Sequence, residues 1–168
     1  KNFQDRARRF AEAEIAPRAA DLDAGGADPA ELARALAREN MMGVAAPVED
    51  GGGGEDPVSY ILALMEVSRA CASTGALMLA QNSLYGFPLV THGTQEQKRT
   101  YLQPCTRGDA VGVFALSEKA AGSDLSDLRS TAVRTPGGWG LSGEPVRVTG
   151  GGLASFCMLP ALLTDGNK

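Results

Sequence analysis

The sequence predicts an α+β chain, helical over its first two-thirds and β over the remainder. Three observations carry that prediction. Up to about Gly108, apolar residues recur at helical spacing between recognisable capping signals. From Asp109 onward the pattern changes to short apolar runs punctuated by turn residues. Finally, 43% hydrophobic and 21% charged residues over 168 positions supply an ordinary globular core.

Phe3, Ala7, Phe10, Ala11 and Ile15 share one face of a first helix, which Pro17 should kink or end. Asp28-Pro29-Ala30-Glu31 reads as a helix start, with Asp28 as cap, Pro29 at the first helical position and Glu31 closing a capping box. Leu32 and Leu36 then lie on the buried face, and Gly43 can terminate. Gly51 to Gly54 reads as a flexible connection, since a phosphate loop needs a preceding strand and GxxxxGK[ST]. Asp56-Pro57 starts a helix running to about Ala70, and Ser73 or Thr74 begins another reaching roughly His92, loosened by Gly86 and Pro88. Thr94-Gln95-Glu96-Gln97 is a second capping box, opening a short helix that stops before Pro104. Met41, Met42, Met65 and Met78 are assigned to the core, His92 to a helix cap, and Glu12 and Glu66 to surface or inter-helix charges.

In the second part, residues 110–116 suit a buried strand. Residues 130–134 and 139–142 read as two strands joined by a turn, 146–149 as another, and 155–163 as a last one. Gly150 to Gly152 is most simply a hairpin turn, and Trp139 a strand packing residue. The expected division is a helical domain over 1–108 and a β domain over 109–168. Roughly 60 residues give about five strands, which leaves edges in want of partners.

Composition removes several functions. A net charge of −4 and a pI near 5.0 argue against nucleic acid as the main partner. No run approaches the length of a membrane span, and the charged amphipathic start does not look like a secretory signal. Cys71, Cys105 and Cys157 form no metal-binding pattern and read as reduced, mostly buried thiols of a cytoplasmic protein. His92 is the only histidine, which argues against a histidine-based metal site or a Ser-His-Asp triad.

The segment Phe114 to Asp124, FALSEKAAGSD, runs from an apolar strand into a Gly-Ser-Asp turn. Its backbone groups and the hydroxyls of Ser117 and Ser123 can hold a polar planar ligand, or the two serines can simply cap a turn. Upstream lie Leu64-Met65-Glu66-Val67-Ser68-Arg69-Ala70-Cys71-Ala72-Ser73-Thr74-Gly75, Gly93-Thr94-Gln95-Glu96-Gln97-Lys98 and Tyr101-Leu102-Gln103-Pro104. In this order and spacing they resemble the acyl-CoA dehydrogenase family of flavoproteins, from about Phe10 to about Gly152.

The resemblance implies a larger, barrel-like β domain, incomplete in this chain, and a C-terminal helical bundle absent from it. The expectation is that the chain is a fragment, that further sequence follows it, or that a partner chain completes the sheet. It implies FAD held by Phe114, Leu116, Ser117, Ser123, Arg147 and Thr149, with Ser123 also touching the acyl-CoA. Residues 141–150 align with a stretch that reads like L-N-G-x-K-x-W-I-T-N in the family, so Arg147 stands at a tryptophan, Pro145 at a lysine and Gly150 at an asparagine. Lys119 stands where the family has proline. Arginine can stack on a planar ring and adds positive charge. The implied reaction is α,β-desaturation of an acyl thioester in fatty acid metabolism, with electrons passing to an electron-transfer flavoprotein or similar acceptor, in a homo- or hetero-oligomer. The catalytic glutamate of the family has no counterpart here; Glu118 reads as a structural carboxylate and no metal is implied. Two other classes stay open: a flavin-poor subunit supporting a catalytic partner, and a flavin-dependent oxygenase of the same superfamily.

Overall fold

The computed structural model describes residues 2–164 of the chain. Helices occupy its front: α1 (Asn2–Phe10), α2 (Ala19–Asp23), α3 (Pro29–Arg38), α4 (Pro57–Ala70), α5 (Ala72–Leu79), α6 (Phe87–His92), α7 (Gln95–Gln97) and α8 (Gln103–Thr106). Short strands follow: β1 (Gly112–Phe114), β2 (Ser117–Glu118), β3 (Thr131–Thr135), β4 (Gly138–Ser142), β5 (Pro145–Arg147), β6 (Phe156–Met158) and β7 (Leu162–Thr164). None of the described helices is long and apolar enough to cross a membrane.

Phe3, Ala7, Ala11 and Ile15 are buried along one face, as their spacing predicts. Pro17 does not end the helical path. A π turn over Ala11–Ile15 and a 3-10 turn over Ala16–Arg18 carry the chain into α2, changing helical type where proline removes a donor. At the start of α3 the Asp28 carboxylate accepts from Ala30 N at 2.8 Å, and Pro29 fills the first position. Glu31 does not close a capping box, because Asp28 bonds the second helical N–H and its other oxygen lies 3.6 Å from Arg34. The reversal after α3 falls to Asn40, at φ 59°, and not to Gly43. Gly43 is needed for close approach, since a Cβ there would run into Thr106.

The glycine-rich stretch is pinned, not flexible. Gly53 N donates to Gly43 O, Gly54 N to Ala46 O and Glu55 N to Val44 O. Beside it Lys98 Nζ lies 2.8 Å from the buried Asp50 carboxylate. α4 spans the predicted residues behind its Asp56 cap. α5 continues through a π stretch, Ala80–Gly86, into α6, so the loosening expected at Gly86 and Pro88 takes the form of a wider turn. His92 is exposed and does not cap; Gly93 N bonds Leu89 O instead. Thr94 and Gln97 form the predicted capping box. The helical path then runs past Pro104 into α8, with a π turn over Lys98–Leu102 preceding the point where proline removes a donor.

The main core joins α1, α3, α4 and α5, with Leu36, Met41, Met42, Val67 and Met78 inside it. Met65 is the exception among the methionines, 61% exposed on the outer face of α4. Glu66 is buried between helices, accepting from Arg8 at 2.7 Å and Gln4 at 2.9 Å. Glu12 pairs with Arg69 on the surface. β1 belongs to the helical packing: Val111 and Val113 join its core, and Gly112 N donates to the buried Gln81 Oε1 at 2.9 Å. Residue 112 must be small because the Tyr85 ring occupies the space of a side chain. Of the three free cysteines only Cys105 is buried, and burial pushes its thiol up to about 11.

The strands form three small sheets and no closed barrel among the described residues: β1 with β6 in parallel, β2 with β5 antiparallel, and β4-β3-β7. The β3–β4 hairpin turns where predicted. The last apolar run splits into β6 and β7, which enter different sheets on either side of Pro160. Residues 150–152 therefore do not make a hairpin; Gly150, at φ 73°, leads into a 3-10 turn, Gly151–Leu153. Trp139 is 53% exposed, with the Arg134 guanidinium 5.6 Å above its ring.

Candidate functional site

The chain leaves β1 at Phe114, passes Leu116 and enters β2 at Ser117; all three side chains are half-buried. β2 pairs with β5 so that Ser117 stands directly opposite Arg147. The sequence separation between them is thirty residues, and the antiparallel ladder closes it. The register is irregular between Ser117 and Glu118, a bulge that re-aims the side chains around it. Thr149 follows two residues after Arg147, exposed and just outside the strand. Phe114, Leu116, Ser117, Arg147 and Thr149 thus lie along one short stretch of paired backbone and its flanks.

Ser123 is placed differently. It is exposed on the loop after β2, where Glu118 N donates to Ala121 O and Asp124 Oδ1 accepts from Ser126 N at 2.9 Å. Ser123 makes no hydrogen bond to the other five among the described residues. The turn's cap is Asp124, so neither serine is consumed in capping.

Glu118 is committed to structure. Its carboxylate accepts from Ser130 N at 2.8 Å and Arg129 N at 2.9 Å. With the Ser130 hydroxyl beside it, these groups hold its carboxyl below the ordinary range. That closes the loop from β2 to β3 and occupies both carboxylate oxygens of Glu118. Glu66 is likewise held down to about 2 by Arg8 and Gln4.

A groove of about 740 Å³ opens beside this stretch. Thr149 and the backbone of Gly150 to Gly152 form one wall; Leu22, Leu32 and Leu77 form the others, with Cys71, Ser73 and Thr74 at the junction of α4 and α5. Cys71 is the N-cap of α5 and offers no side-chain hydrogen bond to it. Of this set the sequence analysis assigned only Thr149 to ligand binding, because the walls come from segments far apart in the chain. A separate groove of about 430 Å³, lined by Met42, Tyr60, Phe87 and Val90, is more apolar.

Residues 1–109 match the family model described as "Acyl-CoA dehydrogenase, N-terminal domain". An acyl-CoA dehydrogenase of Bacillus subtilis is 37% identical over 155 residues, 92% of this chain and 41% of that protein. The mitochondrial short-chain specific acyl-CoA dehydrogenase of Bos taurus is 41% identical over 142 residues, 84% of this chain and 34% of that protein. A solved structure of glutaryl-CoA dehydrogenase from Mycobacterium smegmatis in complex with FADH2 superposes with a TM-score of 0.91 at 29% identity, over 98% of this chain and 42% of that one. The chain therefore spans roughly two-fifths of the length of such relatives. Sequence and fold agree over nearly all of it, and the chain belongs to the acyl-CoA dehydrogenase family.

Proposed function

We propose that this chain is the front part of a flavoenzyme that desaturates an acyl thioester to its 2-enoyl thioester. The observation that carries this reading is the pairing of Ser117 with Arg147, two residues before Thr149, within the segments that match the family. Two hydroxyls and a guanidinium on adjacent backbone suit a planar ring edged with carbonyls and N–H groups, which is the chemistry of FAD. The relative with TM-score 0.91 was solved with FADH2, which supports the same assignment.

On this reading Ser117 and Thr149 would hold FAD through their hydroxyls, and Phe114 and Leu116 would help exclude water from it. Ser123, on its exposed loop, contacts both cofactor and substrate. FAD, when bound, supplies the acceptor for the hydride leaving the β carbon. The proton alpha to the carbonyl needs a carboxylate base, and the chain's two buried glutamates, Glu66 and Glu118, are already engaged. Residues 1–108 and 109–168 are the two units of this scheme, with β1 of the second seated in the core of the first. Electrons pass to an electron-transfer flavoprotein or a similar acceptor, and the protein works as an oligomer.

A second reading, a flavin-poor subunit that supports a catalytic partner, is favoured by one observation: Leu141, Val146, Leu162 and Leu163 of the strands are all exposed and await cover. The purified chain, mixed with FAD and passed through gel filtration, separates the two. Retained flavin absorbance that shifts on adding acyl-CoA supports the dehydrogenase, since full bleaching needs a base that the engaged Glu66 and Glu118 do not supply. A folded protein that emerges colourless sinks it in favour of the supporting subunit. Retained flavin that ignores acyl-CoA, yet reacts with oxygen once reduced, points to an oxygenase.

A further inference from the structure

We propose that Gln81 is a positioning residue: from the π stretch between α5 and α6 it sets where β1 lies against the helices, and so where Phe114 to Ser117 present themselves to a bound flavin. The inference rests on the FAD reading above. Gln81 itself lies in the helical part and is hydrogen-bonded to none of the residues assigned to the cofactor.

The π stretch, Ala80–Gly86, ties three elements together through successive side chains. Gln81 Oε1 accepts from Gly112 N of β1 at 2.9 Å. Asn82 Oδ1 accepts from Val44 N, and its Nδ2 donates to Met41 O and Met78 O, which fixes the segment after α3. Ser83 Oγ and the Tyr60 hydroxyl of α4 lie 2.8 Å apart. Tyr85 of the same stretch also meets β1. Its ring fills the space that a side chain at Gly112 would need, and its hydroxyl donates to Tyr101 O at 3.1 Å.

β1 has two edges. β6 holds one, where Ala115 N donates to Met158 O and Phe156 N to Val111 O. No strand pairs with the other among the described residues. The bond from Gln81 is the one side-chain hydrogen bond to β1 among the described residues. Phe114 ends the same short strand and Ser117 opens the next, so a shift of β1 moves the segment assigned to the cofactor.

The amide carries the argument further. Gln81 is fully buried, and its Nε2 has no hydrogen-bond partner among the described residues. The Cys105 sulfur beside it is a weak acceptor. An apolar side chain of similar size would fill this core without the cost of an orphaned N–H. What the amide adds is the oxygen that holds Gly112.

The test compares hydrogen exchange, FAD affinity and thermal midpoint in wild type, Gln81→Met and, as a control for general loosening, Val67→Ala. Methionine keeps the volume, removes the orphaned N–H and leaves Gly112 N unpaired, so the thermal midpoint should change little. In the FAD-free Gln81→Met protein, exchange at residues 112–117 should quicken by about tenfold, with α3 and α4 unchanged. FAD affinity should fall by about tenfold, and the absorption band of flavin bound at saturation should shift. Val67→Ala, inside the helical core, should lower the thermal midpoint and leave FAD affinity as it was. Unchanged exchange at 112–117 overturns the proposal, as does wild-type FAD affinity in a Gln81→Met protein whose exchange has quickened. An equal loss of affinity in Val67→Ala also overturns it, and makes Gln81 an ordinary core residue. If wild type holds no FAD, the parent reading fails, and that failure is visible before any variant is made.

Discussion

Leu36, Met41, Val44, Val67 and Met78 lie wholly inside the helical half of this chain, whereas Leu141, Val146, Leu162 and Leu163 of the strands face outward. The two halves solve the burial problem differently. The helices close a core on themselves, and they recruit β1 to do it through Val111, Val113 and the Gly112–Gln81 hydrogen bond. β6 packs Phe156 and Met158 against the helices, whereas β4, β5 and β7 are exposed along their length. Stability therefore concentrates in the helices, while the residues assigned to ligand binding sit at the seam and beyond it.

The largest test of that contrast is a matched pair of truncations. Leu36→Ala, at a fully buried site, should cost about 2–5 kcal/mol. Leu163→Ala, at an exposed strand site, should stay within about 0.5 kcal/mol. Thermal or urea unfolding of the two variants measures both, and equal losses would mean the strands are packed as tightly as the helices.

The next effect is pH-dependent and belongs to the helices. Arg8 first, then Gln4, holds the Glu66 carboxyl at about 2 against an ordinary 4.5. A depressed carboxyl contributes stability that is complete above its ordinary value and lost as pH falls through its folded value. The wild-type thermal midpoint should thus decline between about pH 4.5 and 2. Arg8→Ala should begin lower at neutral pH and decline less over that window. Calorimetry across pH checks this, and parallel curves would remove Glu66 from the account.

A smaller effect is expected at α7. Thr94→Ala removes the capping-box hydroxyl and should cost about 1 kcal/mol. Since α7 leads into the helices that carry Lys98 and Cys105, the loss should appear as faster local hydrogen exchange there.

These elements also show what was legible in the sequence. Caps written in adjacent residues were readable: Asp28, Asp56 and Thr94 each accept the backbone N–H that their position predicts. Their finer partners were less so, and Glu31 failed because Asp28 bonded one residue earlier. Proline was over-read as a stop at Pro104, while at Pro17 the helix changes type without ending, because π and 3-10 turns let it continue past a missing donor. Pairing between distant segments left no local trace. Nothing in residues 155–163 announces that β6 joins β1 while β7 joins β3. The candidate site residues were assigned by resemblance alone, and the Ser117–Arg147 register and the groove beside Thr149 needed the fold.

Hydrogen exchange of the chain with and without FAD tests the central claim most directly, because it locates the cofactor as well as detecting it. The account predicts slowed exchange at residues 114–118 and 145–149, with α3 and α4 unchanged. Protection confined to the helices, or no change in a folded protein at saturating FAD, would contradict it.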